Sequence, residues 1–247
     1  MKEKGAVKDR GAVEDVVGAA GRPAETLGPP PAYAVAFALL RPVWRSLPHW
    51  ALAAGAVLGL LLAGIPRMFA GPPDPWLCLN LLRAAALAFA LGLTFLLDDP
   101  ARHTTAAVPT RRPVRIGLRV GLVVPFMASW WTAALFLIPA EGRPPVGAIT
   151  LEAAAFVVLA LAAALVAVRH SEATEPGVAL SAGLVGASFA ATLLLPDRWA
   201  LFVAPFDPHW DDAHRRWAGV LAVAALVGVC SVAEPLRRRR TTLLAHR

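Results

Sequence analysis

Residues 96–119 read LLDDPARHTTAAVPTRRPVRIGLR and connect two long apolar runs, Ala84–Leu97 and Val120–Ile138. This connector carries five arginines, which are Arg102, Arg111, Arg112, Arg115 and Arg119. Lysines and arginines in short loops between membrane spans resist translocation, so they mark the side of the bilayer that the chain never left. We therefore predict that the connector is cytoplasmic, and the orientation of the whole chain follows from that placement.

The composition is typical of an integral membrane protein. Hydrophobic residues make up 57% of the chain and charged residues 17%, with a mean hydropathy of +0.57, whereas soluble domains average ~45–50% apolar and ~25% charged residues. The net charge of +7 does not indicate nucleic-acid binding, because the basic residues cluster beside apolar segments and act there as topological anchors. The two cysteines, Cys78 and Cys230, form neither a disulfide framework nor a metal-ligand spacing.

The predicted fold is an all-α polytopic integral membrane protein with about six transmembrane helices and both termini in the cytoplasm. Crossing a bilayer takes ~17–25 helical residues. The predicted membrane domain is 50–233, with spans at 50–65, 77–97, 120–138, 146–168, 178–195 and 217–233. This arrangement places eighteen lysines and arginines inside, including those of a basic tail at 234–247, and five outside. The asymmetry agrees with the positive-inside rule.

The N-terminal part precedes these spans. Residues 1–31 mix charges with small residues and are predicted to be a disordered cytoplasmic tail without a cleavable signal peptide. In the segment 32–49, apolar residues recur at helical spacing from Tyr33 to Leu47, with Arg41 and Arg45 on a neighbouring face. This pattern predicts an amphipathic helix on the inner membrane surface, and the alternative is an extension of the first span.

Two charges interrupt the predicted spans, at Arg83 and Glu152. A charge at the centre of a span costs ~2.5–3.5 kcal/mol on insertion scales, so such residues usually pair or face a cavity. Both lie six residues from the predicted outer end of their spans. The similar depth allows an ion pair, and the alternative is that each side chain snorkels separately to the outer headgroups.

The last outer loop contains His209, Asp211 and His214, which could contribute ligands to a divalent metal. The spacing fixes no complete ligand set, and a simpler interpretation covers the same residues. Asp207 would cap a helix that leads into the sixth span, and Asp211 and Asp212 would favour its positive end. The sequence therefore predicts no metal site with a defined ligand set.

Paired acids open the central connector, at Asp98 and Asp99. Membrane enzymes that bind Mg²⁺ and diphosphate use paired acids, but such sites need several converging carboxylates. We favour Asp99 as the cap of a short helix over Pro100–Ala107. The chain has no phosphate-binding loop, zinc-protease signature or nucleophile elbow. Any energy-driven activity must therefore draw on another chain or on an ion gradient.

Two further patterns concern packing between helices. Gly55-x-x-x-Gly59 and Gly117-x-x-x-Gly121 have a spacing that allows close helix contacts. Trp130 and Trp131 fall near the middle of the third predicted span. The pair fills a helix–helix contact or lines a substrate path, and the sequence leaves both open.

The order of these parts resembles the membrane subunit of ATP-binding-cassette exporters, in the drug-resistance and polysaccharide-export permease class. The matching pieces are the surface helix Tyr33–Leu47, the short helix Pro100–Ala107 and the segment Leu195–Arg216. The wording LLDDPARHTTAAVPTRR is also similar to the corresponding loop of actinobacterial permeases. The resemblance spans roughly residues 32–240 and lies mainly in the architecture.

That resemblance implies a permease in the bacterial plasma membrane that exports a drug, peptide, lipid or glycan without a cofactor. It implies a separate ATPase subunit, a dimer of permease subunits and re-entrant helices before the last span. The ATPase would dock on Asp98, Asp99, Arg102, Arg111 and Arg112. The alternatives are that these arginines only fix topology, that the protein is a membrane enzyme acting on lipid or isoprenoid phosphates, or that it is a non-catalytic immunity or assembly factor.

Overall fold

The structure, a computed structural model, describes residues 41, 43–69, 71–98, 112–170 and 175–232. Within these ranges it is all-helical and has six helices long and apolar enough to cross a membrane, as a multi-pass membrane protein requires. They are α1 (His49–Gly64), α2 (Pro75–Thr94), α3 (Arg112–Leu137), α4 (Val146–His170), α5 (Gly177–Leu194) and α6 (Trp210–Val232). Short 3-10 turns follow α1, α3 and α5, at Ile65–Met68, Ala140–Gly142 and Asp197–Trp199.

Helix α2 lies at the centre of the described bundle. It packs against α1, α4 and α5, while α6 packs on α4 and α3 on α1. Two thirds (67%) of the α2 span is buried, against 6% of the α5 span. A helix that is apolar on nearly all sides, such as α2, is stable in the interior of a bundle. Helix α5, by contrast, is covered by the other described helices over only a small part of its surface.

The contact between α1 and α2 depends on glycines. A β-carbon added at Gly55 would lie 2.7 Å from the Ala88 carbonyl oxygen, and one added at Gly92 would lie 2.7 Å from the Ala51 carbonyl oxygen. The first of the two predicted glycine spacings therefore serves close packing. The second does not do so among the described residues, because Gly117 and Gly121 both face open space.

Two helices begin before the predicted start of their span. Helix α3 begins at Arg112 rather than at residue 120. Helix α6 begins at Trp210, before the span predicted from residue 217, and its first turns agree with the helix that was predicted to follow Asp207 and lead into that span. Both extensions contain polar residues, which lowered their hydropathy below that of a span. The first turns of α6 remain helical because they are amphipathic, with Ala213 and Trp217 buried and Asp211 exposed.

The predicted segments before and after the spans are described only in part. Of the surface helix Tyr33–Leu47, residues 41 and 43–45 are helical, and the remainder before residue 41 lies outside the described residues. So do the N-terminal tail 1–31, the short helix Pro100–Ala107 and the C-terminal tail 234–247. Between Leu195 and His209, the structure has the single turn Asp197–Trp199 and no re-entrant helix.

The described loops gather at two ends. One, here named the cluster end, holds residues 65–69, 71–75, 138–146 and 195–210. Two of its parts touch through Arg67, which donates to the carbonyls of Phe136 and Leu137 at the end of α3. The other, here named the connector end, holds residues 95–98, 112–119, 170 and 175–177, and Asp98 there contacts Gly177. The segments thus alternate between the two ends, as six consecutive crossings require.

Candidate functional site

The two charges predicted inside the spans form an ion pair near the cluster end. Nε of Arg83 donates to Oε2 of Glu152 at 2.7 Å, and Nη2 donates to Oε1 at 2.8 Å. The side chains are only 7% and 1% exposed. Such a two-pronged arginine–carboxylate contact is the geometry in which buried charges are best compensated. Of the two alternatives that the sequence left open, the structure contains the pair rather than separate snorkelling.

Arg83 also holds the segment between α5 and α6. Its Nη1 donates to the carbonyl oxygen of Val203 at 3.0 Å, and its guanidinium lies 5.5 Å from the centre of the Phe202 ring. A guanidinium has five N–H groups in a planar fork, so it can satisfy a carboxylate and a backbone carbonyl together. Through this bond, one side chain of α2 connects α4 to the segment that precedes α6.

Helix α6 secures the same segment from its other side. Arg216 donates to the carbonyl oxygens of Ala200 and Arg198, at 2.8 and 2.6 Å. Nε1 of Trp217 donates to the Leu201 carbonyl oxygen at 2.9 Å. The segment thus has no regular secondary structure beyond its one turn, yet side chains from α2 and α6 bind its carbonyl groups. These side-chain bonds satisfy carbonyl groups that backbone N–H groups would satisfy in a helix or a sheet.

His214 is the third member of this group, which we name the Arg83 cluster (Arg83, Glu152 and His214). Its Nδ1 lies 2.7 Å from the Trp210 carbonyl oxygen, and its Nε2 lies 3.1 Å from Oε1 of Glu152. Nε2 is shielded from solvent and sits off the line of a well-formed hydrogen bond. We therefore treat the Nε2–Oε1 contact as a close approach of two polar atoms whose character depends on the proton between them.

Aromatic rings surround the cluster. Phe156 of α4, Phe202 of the segment and Trp217 of α6 stand 5.2–6.3 Å apart by ring centres. The indole of Trp210 lies 4.4 Å from the His214 ring. Apolar walls of this kind lower the local dielectric, which strengthens the interactions among the enclosed charges and makes any unpaired one expensive.

The metal interpretation of the last loop finds no support in the described residues. His209 is exposed and pairs with Asp207, whereas His214 points into the bundle toward Glu152. No group of three or more His, Cys, Asp or Glu side chains within the described ranges is placed to hold a metal ion. Asp207 instead accepts from the backbone N–H of His209 at 2.7 Å, and this bond lowers the pKa of its carboxyl group.

Asp98 lies at the connector end and is bound within the bundle. Its Oδ1 accepts from the backbone N–H of Gly177, the first residue of α5, at 3.2 Å. A carboxylate suits this position because the first N–H groups of a helix lack partners in the helix itself. Partial burial raises the pKa of Asp98, the nearby Glu175 raises it further, and the Gly177 N–H opposes both.

The other predicted docking residues are described little or not at all. Asp99, Arg102 and Arg111 lie outside the described residues, and Arg112 begins α3 with a side chain that also lies outside them. Arg119 lies about two helical turns after Arg112 on α3. It donates to the Leu96 carbonyl oxygen and to the Ser46 hydroxyl, each at 3.3 Å. The docking surface therefore stays a prediction from the sequence.

The paired tryptophans both join helices. Trp130 donates from Nε1 to the Ala56 carbonyl oxygen at 2.9 Å and stacks on Phe89, with ring centres 4.3 Å apart. Trp131 donates to the Thr150 hydroxyl at 3.0 Å. Both also line an apolar groove of about 260 Å³ between α2, α3 and α4. The two tryptophans thus join helices, as one of the two interpretations of the sequence proposed. The second interpretation, that they line a substrate path, stays a prediction.

Sequence reasoning found two members of the Arg83 cluster and missed the third. The sequence placed His214 either among possible metal ligands or on the helix that leads into the sixth span, and neither interpretation put it opposite Glu152. The signal was present in the helical spacing of Trp210, His214 and Trp217, which puts all three on one face of α6.

Comparison with known proteins adds no identity: no family model, no curated protein and no solved structure matches this chain.

Proposed function

We propose that this chain is the permease subunit of an exporter in the bacterial plasma membrane, driven by a separate ATP-binding-cassette ATPase. The observation that carries the proposal is the course of α2. This buried helix bears Arg83 at the cluster end and leads directly into Asp98 and the basic connector. Eleven residues separate Arg83 from Thr94, the last residue of α2, which is about 16 Å at the helical rise of 1.5 Å per residue, and Asp98 follows four residues later.

A helix so placed can transmit a displacement from one end of the bundle to the other. In the proposed cycle, ATP-driven closure of the ATPase pushes on the connector between α2 and α3. Movement of α2 then shifts Arg83 against Glu152 and Val203 and opens the cluster end. Intramembrane charges that join several spans are expensive, and they are generally retained where a membrane protein moves solutes or ions.

The exposed surface of α5 supports a second permease subunit as partner. Gly177 alone is buried among the residues of this helix, and Gly183 and Gly186 face open space within the described chain. Small residues allow a close approach of two helices in a membrane. Homodimer and heterodimer are both compatible with this surface, as is contact with lipid.

The enzyme alternative draws no support from the described residues. Its two candidate sites were the Asp98–Asp99 pair and the histidines of the last loop. Asp98 caps α5, and His214 faces Glu152 rather than His209. Metal in the purified protein that is lost in His209→Ala would revive that alternative.

The docking part of the proposal is tested by co-purification with candidate ATPases encoded near the gene. We expect Asp99→Ala/Arg102→Ala to lose most of the captured ATPase, since it removes one acid and one arginine from the connector. Asp197→Ala/Arg198→Ala is the matched control, because it removes the same two side chains from the turn at the cluster end. Equal capture by the wild type and by both double variants would contradict the docking surface.

The predicted orientation has its own test. A reporter fused at Thr105 that is active only outside the cell would contradict the cytoplasmic placement of the connector.

A further inference from the structure

The neighbours of the two ring nitrogens of His214 indicate how many protons the imidazole carries. Nδ1 lies 2.7 Å from the Trp210 carbonyl oxygen, which can only accept a hydrogen bond. Nδ1 must therefore carry the hydrogen. In a neutral imidazole the other nitrogen then has none, so Nε2 would turn a lone pair toward Oε1 of Glu152 at 3.1 Å. Two buried acceptors facing each other at this distance repel.

One additional proton between Nε2 of His214 and Oε1 of Glu152 removes this repulsion, and Nε2 is the atom that can carry it. Both oxygens of Glu152 already accept from Arg83, which identifies the group as a carboxylate. We propose that the Arg83 cluster is a proton-binding site and that the proton resides on Nε2 of His214. The occupied site then consists of one carboxylate between a guanidinium and an imidazolium, with a net charge of +1.

The surroundings contain few other charges to compete for this role. Helix α5 has no charged residue, and the charged residues of α3 lie toward its connector end. On α6 itself, Arg215 pairs with Asp212 at the exposed surface. Four further charges of this end, Glu141, Arg143, Asp207 and Asp211, line a neighbouring surface pocket beside Trp210. The others are Arg67 and Arg216, which bind backbone carbonyls, Asp74, which accepts from the Trp76 N–H, and the residues Asp197 and Arg198 of the exposed turn. The indole of Trp210, 4.4 Å from the His214 ring, favours a cation beside its π-system.

The bound proton would connect α6 to the pair formed by α2 and α4. With Nε2 protonated, the contact to Oε1 becomes a charge-assisted hydrogen bond, and a small rotation of the ring would align it. Without the proton, the same atoms repel and the beginning of α6 is held only by its remaining contacts. This inference does not depend on the proposed transport function, because it follows from donors and acceptors alone.

The test is nitrogen NMR of the full-length protein in detergent micelles, with ¹⁵N-labelled histidine. The two ring nitrogens resonate close together in an imidazolium and far apart in a neutral ring. His214→Gln identifies the His214 signals among those of the six histidines. We expect them to show an imidazolium at pH 7.5, where a histidine with the ordinary pKa of about 6.5 is roughly nine-tenths neutral. A neutral ring at pH 7.5 would overturn the proposal.

Two variants separate a built site from a general effect of burial. Glu152→Gln removes the negative charge, so the His214 ring should become neutral at pH 7.5; an imidazolium that persists there would show that Glu152 does not hold the proton and would refute the site. His209→Gln removes the exposed histidine nearby and should leave the His214 signals unchanged. Should Glu152→Gln fail to fold, the comparison of wild type with His214→Gln still decides the proton count.

Discussion

The two ends of the bundle handle charge in different ways. At the cluster end, Arg83 and Glu152 are almost fully buried and make a two-pronged pair, and Arg83 also binds the Val203 carbonyl. At the connector end, the described polar contacts join side chains to backbone groups or hydroxyls, such as Asp98 to the Gly177 N–H and Thr94 to the Ser181 hydroxyl. A charge inside the span must find a partner on another helix, whereas a charge near the end needs only a helix terminus.

The difference predicts how each end responds to the loss of a side chain. At the cluster end, removing one partner leaves a charge enclosed by protein and lipid, where water does not replace it. At the connector end, water reaches a group that has lost its partner. The same kind of substitution should therefore have its largest effect at Glu152 and its smallest at Asp98.

The largest effect is expected for Glu152→Ala. It leaves Arg83 buried without its carboxylate, and breaking a buried pair from one side costs about 3–5 kcal/mol. We expect a large loss of folded protein, measured as the monodisperse fraction in size-exclusion chromatography and as the midpoint of thermal unfolding in detergent. Glu141→Ala, which removes an exposed acid at the same end, is the control and should change neither value.

Coupling between the two charges is tested by the double variant. Arg83→Ala should lower the yield by itself, and Arg83→Ala/Glu152→Ala should recover part of the loss because no unpaired charge remains in the pair. Strictly additive losses would show that the observed contact contributes no coupling energy.

An intermediate effect is expected for Arg216→Ala. This change removes two bonds to the carbonyls of Ala200 and Arg198, and hydrogen bonds from charged donors contribute ~1.5–3 kcal/mol. Because one of these bonds is exposed and the other only partly buried, water replaces much of what is lost. A net loss of about 1.4 kcal/mol makes opening of the segment tenfold more frequent. A protease specific for aromatic residues should then cut at Phe202 or Phe206 about tenfold faster.

Arg215→Ala provides the matched control for that experiment. Arg215 is the preceding arginine, is exposed and pairs with Asp212 one turn away on its own helix. An exposed pair of this kind contributes well under ~1 kcal/mol. The cutting rate should stay near that of the wild type, and an equal acceleration in both variants would mean that charge rather than the bonded geometry secures the segment.

The smallest effect is expected at Asp98. Asp98→Ala removes the cap of α5 and should cost about 1 kcal/mol, whereas Asp98→Asn keeps an acceptor for the Gly177 N–H. The folded state raises the pKa of Asp98 above its ordinary 3.8, so it holds this proton more tightly than the unfolded chain does. The stabilisation is therefore present at low pH and is lost as the pH rises from about 3.8 through the raised value.

The measurement for Asp98 is the unfolding midpoint of wild type and Asp98→Asn between pH 4 and pH 7. We expect Asp98→Asn to equal or exceed the wild type at pH 7, with the difference shrinking toward pH 4. A wild type that gains stability over Asp98→Asn as the pH rises would contradict the burial of this carboxyl group.

Much of the fold was predictable from hydropathy. The six apolar runs became six helices, and the equal depth of Arg83 and Glu152 was visible in the spacing. The start of α3 was missed, because a hydropathy window cannot recognise an amphipathic extension whose partners lie elsewhere in the chain. The helix that leads into the sixth span was predicted from the Asp207 cap, but the partners of its side chains were not. The re-entrant helices expected from the resemblance are not found between Leu195 and His209. The carbonyl groups of that segment instead bond to Arg83, Arg216 and Trp217.

The sequence by itself determined that this is a helical, multi-pass membrane protein, because the cost of exposing peptide groups to hydrocarbon leaves long apolar segments no other form. Only the tertiary structure decided which charges meet. The partners of Glu152 come from helices 69 and 62 residues away along the chain, at Arg83 and His214. Depth in the membrane can be counted along one helix, but the direction in which a side chain points depends on how that helix is rotated against its neighbours.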